Sequence, residues 1–190
     1  MSPLPSDAEL ASRARGTDRG AFDQLVARHK AMIYRLVRGY LGNSDDAYDV
    51  VQDTFVSAWL ALKHYDTTKD FATWLRTIAL NKCRDFSRRQ TVRRRFLRLF
   101  AMEQATLPSH YERGANAAQD EREAQRLARM EQAIAELPAF YKEPLLLTTL
   151  GGLSQQGAAE HLKTTAKAIE MRVRRAKKRL AEMLGEAAEG

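Results

Sequence analysis

LSQQGAAEHLKTTAKAIEMRVRRAKKRL, residues Leu153–Leu180, holds two short helices and the turn between them. Ser154 is placed to cap a helix over Gln155 to Leu162, Lys163 and Thr164 make a tight turn, and Thr165 caps a final helix over Ala166 to Leu184. Ala159 is small where the two helices cross, and Leu162, Ile169 and Val173 supply the apolar core between them. The second helix carries Lys167, Arg172, Arg174, Arg175, Lys177, Lys178 and Arg179. Two capped helices around a three-residue turn, the second strongly basic, match the helix-turn-helix arrangement in which the second helix enters a major groove. An ordinary basic helix in a bundle does not account for the paired caps. Thr165, Lys167, Glu170, Met171, Arg174 and Arg175 form the face toward the bases, since Arg suits guanine and Glu accepts from the cytosine amino group. Lys178 and Arg179 are suited to phosphates.

Working outward from that motif, the helical period continues and strand signals are nearly absent, which predicts an all-α protein. Upstream, Phe140 to Leu150 is apolar and helical in tendency and ends at Gly151 and Gly152. Pro144 falls inside it, so the helix either starts nearer Lys142 or kinks. Leu127, Met130, Ile134 and Leu137 recur at helical spacing until Pro138. In the amino-terminal half, Leu25, Val26, Ile33, Leu36, Val37 and Tyr40 lie on one face of a long helix that ends at Gly42 and Asn43. Ser44 is then a candidate cap, with Asp45 and Asp46 in the first turn of the next helix. That helix buries Val51, Phe55, Ala58, Trp59 and Leu62, and turns Asp46, Asp49, Gln52 and Asp53 to another face.

Lys63 to Asp70 lacks periodicity and is expected to be a loop. After it, Phe71, Trp74, Leu75, Ile78, Lys82 and Phe86 mark a third long helix with Asp70 as its N-cap, and Thr77, Asn81, Arg84 and Arg88 form its polar stripe. Past Arg89 the pattern gives way to arginines 93, 94, 95 and 98, a short apolar patch and a polar run with Pro108 and Gly114, which together suggest a linker whose early part extends the third helix.

Charge follows the same division. The 190 residues carry 31 Lys+Arg and 24 Asp+Glu, a net charge of +7, but residues 88–100 alone hold +6 and 163–190 hold +4, while 101–162 hold -4. Two basic blocks of this kind suit a polyanion partner, whose counterions are released on binding. Interleaved aromatics and cations in the loop and after it (Tyr65, Phe71, Trp74) suit unstacked bases, although Phe71 and Trp74 also lie on the apolar stripe. The acidic stripe lacks a histidine or a second carboxylate helix to complete a metal site, and a basic protein partner explains it better. Histidines 29, 64, 110 and 161 are scattered without metal spacing, and no nucleophile motif or phosphate loop is present, so neither a metal, a cofactor nor an enzyme is expected. One cysteine, Cys83, excludes an internal disulfide; cytoplasmic residence is the expectation. No apolar run reaches the ~20 residues of a membrane span, and the start of the chain does not have the pattern of a signal peptide.

Three stretches, in order, resemble one family, the extracytoplasmic-function sigma factors of bacterial RNA polymerase: DAYDVVQDTFVSAW (Asp46–Trp59), FATWLRTIALNKCRDFSRR (Phe71–Arg89) and the helix-turn-helix segment. The resemblance implies two small helical domains joined by a flexible linker. These are a region 2 bundle over 1–95 that binds core polymerase and recognises and melts the -10 element, a linker over 96–126, and a region 4 helix-turn-helix over 127–190 that recognises the -35 element. It also implies that Asp46, Asp49, Gln52 and Asp53 meet the clamp helices of the largest polymerase subunit, and that the second-largest subunit's flap is a further contact. Lys63, His64, Tyr65 and Lys69 would serve capture of a flipped base, Asn81, Arg84 and Arg88 would lie along the -10 DNA, and Thr165, Lys167, Glu170, Met171, Arg174, Arg175 and Lys178 would read the -35 element. An anti-sigma factor would control the chain, which would sit at the nucleoid when in holoenzyme. Lys163 stands where a glycine is usual, Gly157 replaces a common acidic residue, and Glu170, Met171, Arg76 and Leu80 are atypical at their places. A stand-alone helix-turn-helix regulator is the alternative, distinguished by specific duplex binding without polymerase; an RNA-binding helical protein ranks third.

Overall fold

Residues 4–16, 18–100 and 118–185 are described by a computed structural model, in which eight α-helices and no strand are found among the described residues. Ser6 starts α1 (Asp7–Arg15) with a capping box, its side chain accepting from the Glu9 backbone while Glu9 reaches back to the Ser6 amide. Asp18 caps α2 (Arg19–Leu41), which ends at Gly42 in a left-handed conformation. Asn43, not Ser44, caps α3 (Ser44–Ala61): its Oδ1 accepts from the amides of Asp45 and Asp46 at 2.8 and 3.1 Å. An amide one residue before the hydroxyl reaches the first-turn donors, so Ser44 becomes the first helical residue. A 3-10 turn, Leu62–His64, leads to the loop, and Asp70 caps α4 (Phe71–Phe100) by accepting from the Thr73 amide at 2.6 Å.

These four helices close around Leu10, Leu25, Ile33, Leu36, Leu75 and Leu80, all at most 1% exposed, with Cys83 buried beside them. Burial pushes the Cys83 thiol up to about 12. Arg28 and His29 of α2 hold Asp7 of α1 at 2.9 and 2.6 Å. The carboxy-terminal part begins with α5 (Ala118–Glu136) and α6 (Ala139–Thr149), followed by α7 (Gln155–His161) and α8 (Ala166–Leu184). Its own core is Ala133, Leu137, Leu145, Ala176 and Leu180, while Leu146 and Leu147 face the amino-terminal helices. Pro144 sits inside α6, which starts at Ala139 and not nearer Lys142; the proline removes the donor that would reach Phe140, an exposed residue at the first turn. Leu127 is exposed although it shares the spacing of the buried positions.

The segment expected as a linker over 96–126 overlaps the end of one helix and the start of the next. Helix α4 extends to Phe100 and α5 starts at Ala118; residues 101–117 lie outside the described residues. Lys163 adopts φ 52°, alone among the described non-glycine residues in having a positive φ. For an L-residue this costs roughly 1 to 2 kcal/mol. Lys163→Gly is therefore expected to raise unfolding stability by about 1 kcal/mol, after the extra freedom of glycine in the unfolded chain is subtracted, as a shift of the urea midpoint at unchanged slope.

Candidate functional site

Three surfaces carry the chemistry. The first is the helix-turn-helix. Ser154 caps α7 through the Gly157 amide at 3.0 Å, and Thr165 caps α8 through the Ala168 amide at 3.2 Å. The turn is held by the Thr164 amide donating to the Ala159 carbonyl at 2.9 Å. Ala159 and Ile169 are buried between the helices and Leu162 and Val173 are half-buried, as the spacing requires. With that side anchored, Thr165, Lys167, Arg174, Arg175 and Lys178 are exposed and Glu170 and Met171 half-buried on the other. Lys167 pairs with Glu170 at 3.0 Å, and Arg174 rests on the Met171 sulfur at 3.5 Å. Arg172, given no DNA contact by the sequence, and Arg179, read there as suited to phosphate, lie over rings of α6, Arg172 over Phe140 at 4.0 Å and Arg179 over Tyr141 at 4.7 Å. These contacts commit both to packing α8 on α6.

The second surface is the loop after α3 and the outer face of α4. Lys63, His64 and Lys69 are exposed. Tyr65 is placed differently from the expectation that it meets a base: it is 2% exposed, its ring lies against Phe71 and Trp74, and its hydroxyl donates to the Lys69 carbonyl. An aromatic ring with its polar end satisfied inside the fold is a floor for the loop, not a stacking platform. Asp66 shapes the turn above it by accepting from the Thr68 amide and hydroxyl at 3.0 and 2.7 Å. Arg15 ties the preceding turn to α1 through the Leu62 carbonyl at 3.2 Å. On α4, Asn81 and Arg88 are exposed, while Arg84 is half-buried and already engaged. Its Nε and Nη2 donate to Glu143 of α6 at 2.6 and 2.5 Å, and its Nη1 to Asn81 at 2.9 Å. The Glu143 carboxylate holds the Arg84 guanidinium above its ordinary pKa.

The third surface lies on α3. Asp49, Gln52 and Asp53 are exposed; Asp46 is half-buried and accepts from Gln90 of α4 at 3.2 Å, so it also ties two helices together. Beside this stripe runs an apolar groove lined by Val26, Phe55, Trp59 and the exposed Tyr48, Val56 and Leu60, the last 67% exposed. Leu60 and Val56 fall off the buried stripe of α3, and the sequence reading passed over this groove, although apolar residues at polar-face positions were the signal for it. Acidic side chains rimming an apolar trough suit a partner helix with basic and apolar residues.

Residues 25–93 match the model of Sigma-70 region 2 and residues 127–180 that of Sigma-70 region 4. The chain belongs to the sigma factors of RNA polymerase. Within them it falls in the extracytoplasmic-function class, a transcription initiation factor that joins core polymerase and directs it to promoters. The RNA polymerase sigma factor NccH of Alcaligenes xylosoxydans is 38% identical over 187 residues, covering 97% of each chain. CnrH of Cupriavidus metallidurans is 36% identical with the same coverage, and SigM of Mycobacterium tuberculosis 31% over 95% of this chain and 85% of its own. Among solved structures, CnrH in complex with the cytosolic domain of CnrY aligns with TM-score 0.68 at 32% identity, over 96% of this chain and 99% of that one. No helix among the described residues is long and apolar enough to cross a membrane.

His161 of α7 lies within electrostatic reach of two of the α4 arginines, Arg76 and Arg84. Burial first, and then the Arg76 and Arg84 guanidiniums, hold its pKa below the ordinary 6.5. The folded chain therefore binds fewer protons than the unfolded one in that range, so stability is full above about pH 6.5 and is lost as pH falls through the lowered folded value. His161→Gln is expected to abolish this acid-side loss, which urea titrations at pH 7.5, 6.5 and 5.5 would read as a midpoint that falls less with pH than that of the wild type.

Proposed function

We propose that residues 1–95 bind core polymerase and recognise and melt the -10 element, that 96–126 connect the two parts, and that 127–190 read the -35 element. The chain acts as a specificity subunit at the nucleoid and leaves the chemistry of RNA synthesis to the core enzyme. The observation that carries this is the exposed cationic face of α8 beyond a capped α7, an arrangement that serves duplex DNA and little else. Within it, Arg174 and Arg175 meet base edges together with Lys167, Glu170, Met171 and Thr165, and Lys178 meets phosphate. Lys63, His64 and Lys69 meet the melted strand over a loop that Tyr65 holds in shape, and Asn81, Arg84 and Arg88 follow its backbone. Asp49, Gln52 and Asp53, with Asp46 at the edge, meet the polymerase clamp helices, and the apolar groove beside them takes the same partner; the carboxy-terminal helices meet the flap. CnrH, solved with the cytosolic domain of CnrY, supports control of this chain by an anti-sigma factor.

Asp49→Lys combined with Asp53→Lys is expected to abolish co-elution with core polymerase while leaving the helical circular dichroism unchanged, because both carboxylates are exposed and neither supports the fold. Arg174→Ala is expected to lower discrimination at a single position of the -35 element by ~1 to 3 kcal/mol if it is bidentate to guanine. Measured as run-off transcription from a library of single-position promoter variants, an equal loss across all of them would instead mark a phosphate contact. Specific duplex binding by the chain alone, without any response to core polymerase, would favour the stand-alone regulator.

A further inference from the structure

The loop over Lys63 to Asp70 has to meet a displaced base with little regular structure of its own, so contacts from elsewhere must keep it in one shape. Its first turn closes on a single acceptor. The Leu62 carbonyl takes the Tyr65 amide at 3.1 Å, which rings Lys63 and His64 into the 3-10 turn, and it also takes the Arg15 Nε of α1 at 3.2 Å. Both lone pairs of that oxygen are engaged, one by the loop itself and one by a side chain 47 residues upstream. A carbonyl shared in this way cannot swing without breaking its contact to α1.

The other end of α1 reaches the same loop through its floor. Asp7 is held by Arg28 at 2.9 Å and by His29 at 2.6 Å, and the His29 ring stands 5.4 Å from Phe71. Phe71 in turn meets Tyr65 edge-on at 5.4 Å, and Tyr65 donates its hydroxyl to the Lys69 carbonyl on the far side of the loop. Between these ends α1 is seated by Leu10, Ala11 and Ala14, each at most 3% exposed, and Arg13 ties its last turn to Asp18 at the start of α2, at 2.8 Å. Burial holds the Tyr65 hydroxyl above its ordinary pKa, and the charges that act on it next are those of Asp70, Asp7, Asp66 and Arg15, two of them on α1. Arg15 itself is exposed, where a single hydrogen bond adds little to the stability of the whole fold; what it fixes is the direction of one carbonyl.

We propose that α1 is a brace for base capture, in which Arg15, as a positioning residue, holds the Leu62 carbonyl and with it the turn that presents Lys63 and His64 to the flipped base of the melted strand. This rests on the assignment of the loop to that strand. A loop held in its binding shape before the base arrives loses none of its contact energy to ordering, so a residue that does not touch DNA raises the affinity for the extruded base.

The test uses holoenzyme assembled from core polymerase and the full chain. The probe is a promoter that this holoenzyme selects from a random-sequence pool, prepared as a fork whose non-template -10 strand is single-stranded. Each base of that strand is replaced in turn by an abasic site, and the position with the largest loss of affinity marks the captured base. Wild-type holoenzyme is expected to bind the intact strand roughly tenfold more tightly than the strand abasic there, and Arg15→Met, which keeps the stem and removes the donors, to reduce that ratio to about twofold with affinity for the abasic strand unchanged. Arg15→Lys, which restores a donor, is expected to recover most of the ratio. Asp7→Asn, at the other end of α1, is expected to act in the same direction and is judged in its place should Arg15→Met lose its helical circular dichroism. The full ratio in a folded Arg15→Met overturns the brace. An equal loss on intact and abasic strands overturns it as well, and a shallower salt dependence alongside that loss marks Arg15 as a phosphate contact. Absence of any abasic-sensitive position in the wild type overturns the assignment of the loop to the melted strand, and the brace falls with it.

Discussion

Helix α2 has to bury two sides at once, and everything else is arranged around that requirement. Along most of its length Leu25, Ile33, Leu36 and Val37 close the amino-terminal bundle. Burial of side chains of this size contributes ~1.5 to 3 kcal/mol each. Near its carboxy-terminal end the same helix changes character, with glycine at 39 and 42 flanking Tyr40, and there Leu146, Leu147 and Leu150 arrive from the other domain. A helix that offers side chains on one side and bare backbone on the other interdigitates with the first neighbour and lets the second approach closely.

The distribution of charge has the same logic. Cations on α8 stand out in solvent, where counterion release on a polyanion is strongest, whereas those on α4 are partly withdrawn into carboxylate contacts. Ion pairs at the surface, such as Lys167 with Glu170, contribute little to stability and are easily exchanged for phosphate. Arg84 with Glu143 is sheltered, so exchanging that partner requires moving a domain and not merely a side chain.

How much of this could be seen in the sequence depends on whether the deciding interaction was local. The helix-turn-helix was legible down to its caps, because Ser154, Thr165 and the small Ala159 act on neighbours a few residues away. The buried stripes of α2, α3 and α4 followed from spacing for the same reason. Helix α1 went unseen in a polar stretch whose capping box, Ser6 with Glu9, was the available signal. Asn43 took the cap expected of Ser44 because two good caps stood side by side and periodicity does not choose between them. The burial of Tyr65 was not legible, because an aromatic among cations suits bases and a buried cluster equally and its hydroxyl partner, the Lys69 carbonyl, is set by the path of the loop. Arg84 was legible as part of a polar stripe; its partner 59 residues away was not, since nothing local to either residue points to the other.

Cys83 sits on α4, wholly buried in the core, with its thiol pushed up to about 12 by burial. At neutral pH almost none of it is thiolate, the form that oxidants, disulfides and electrophiles attack. The chain's single sulfhydryl is therefore chemically silent while the fold is intact. Oxidative load would therefore go unregistered at this cysteine, and a message carried by thiol chemistry would have to reach the chain through a second molecule able to sense it.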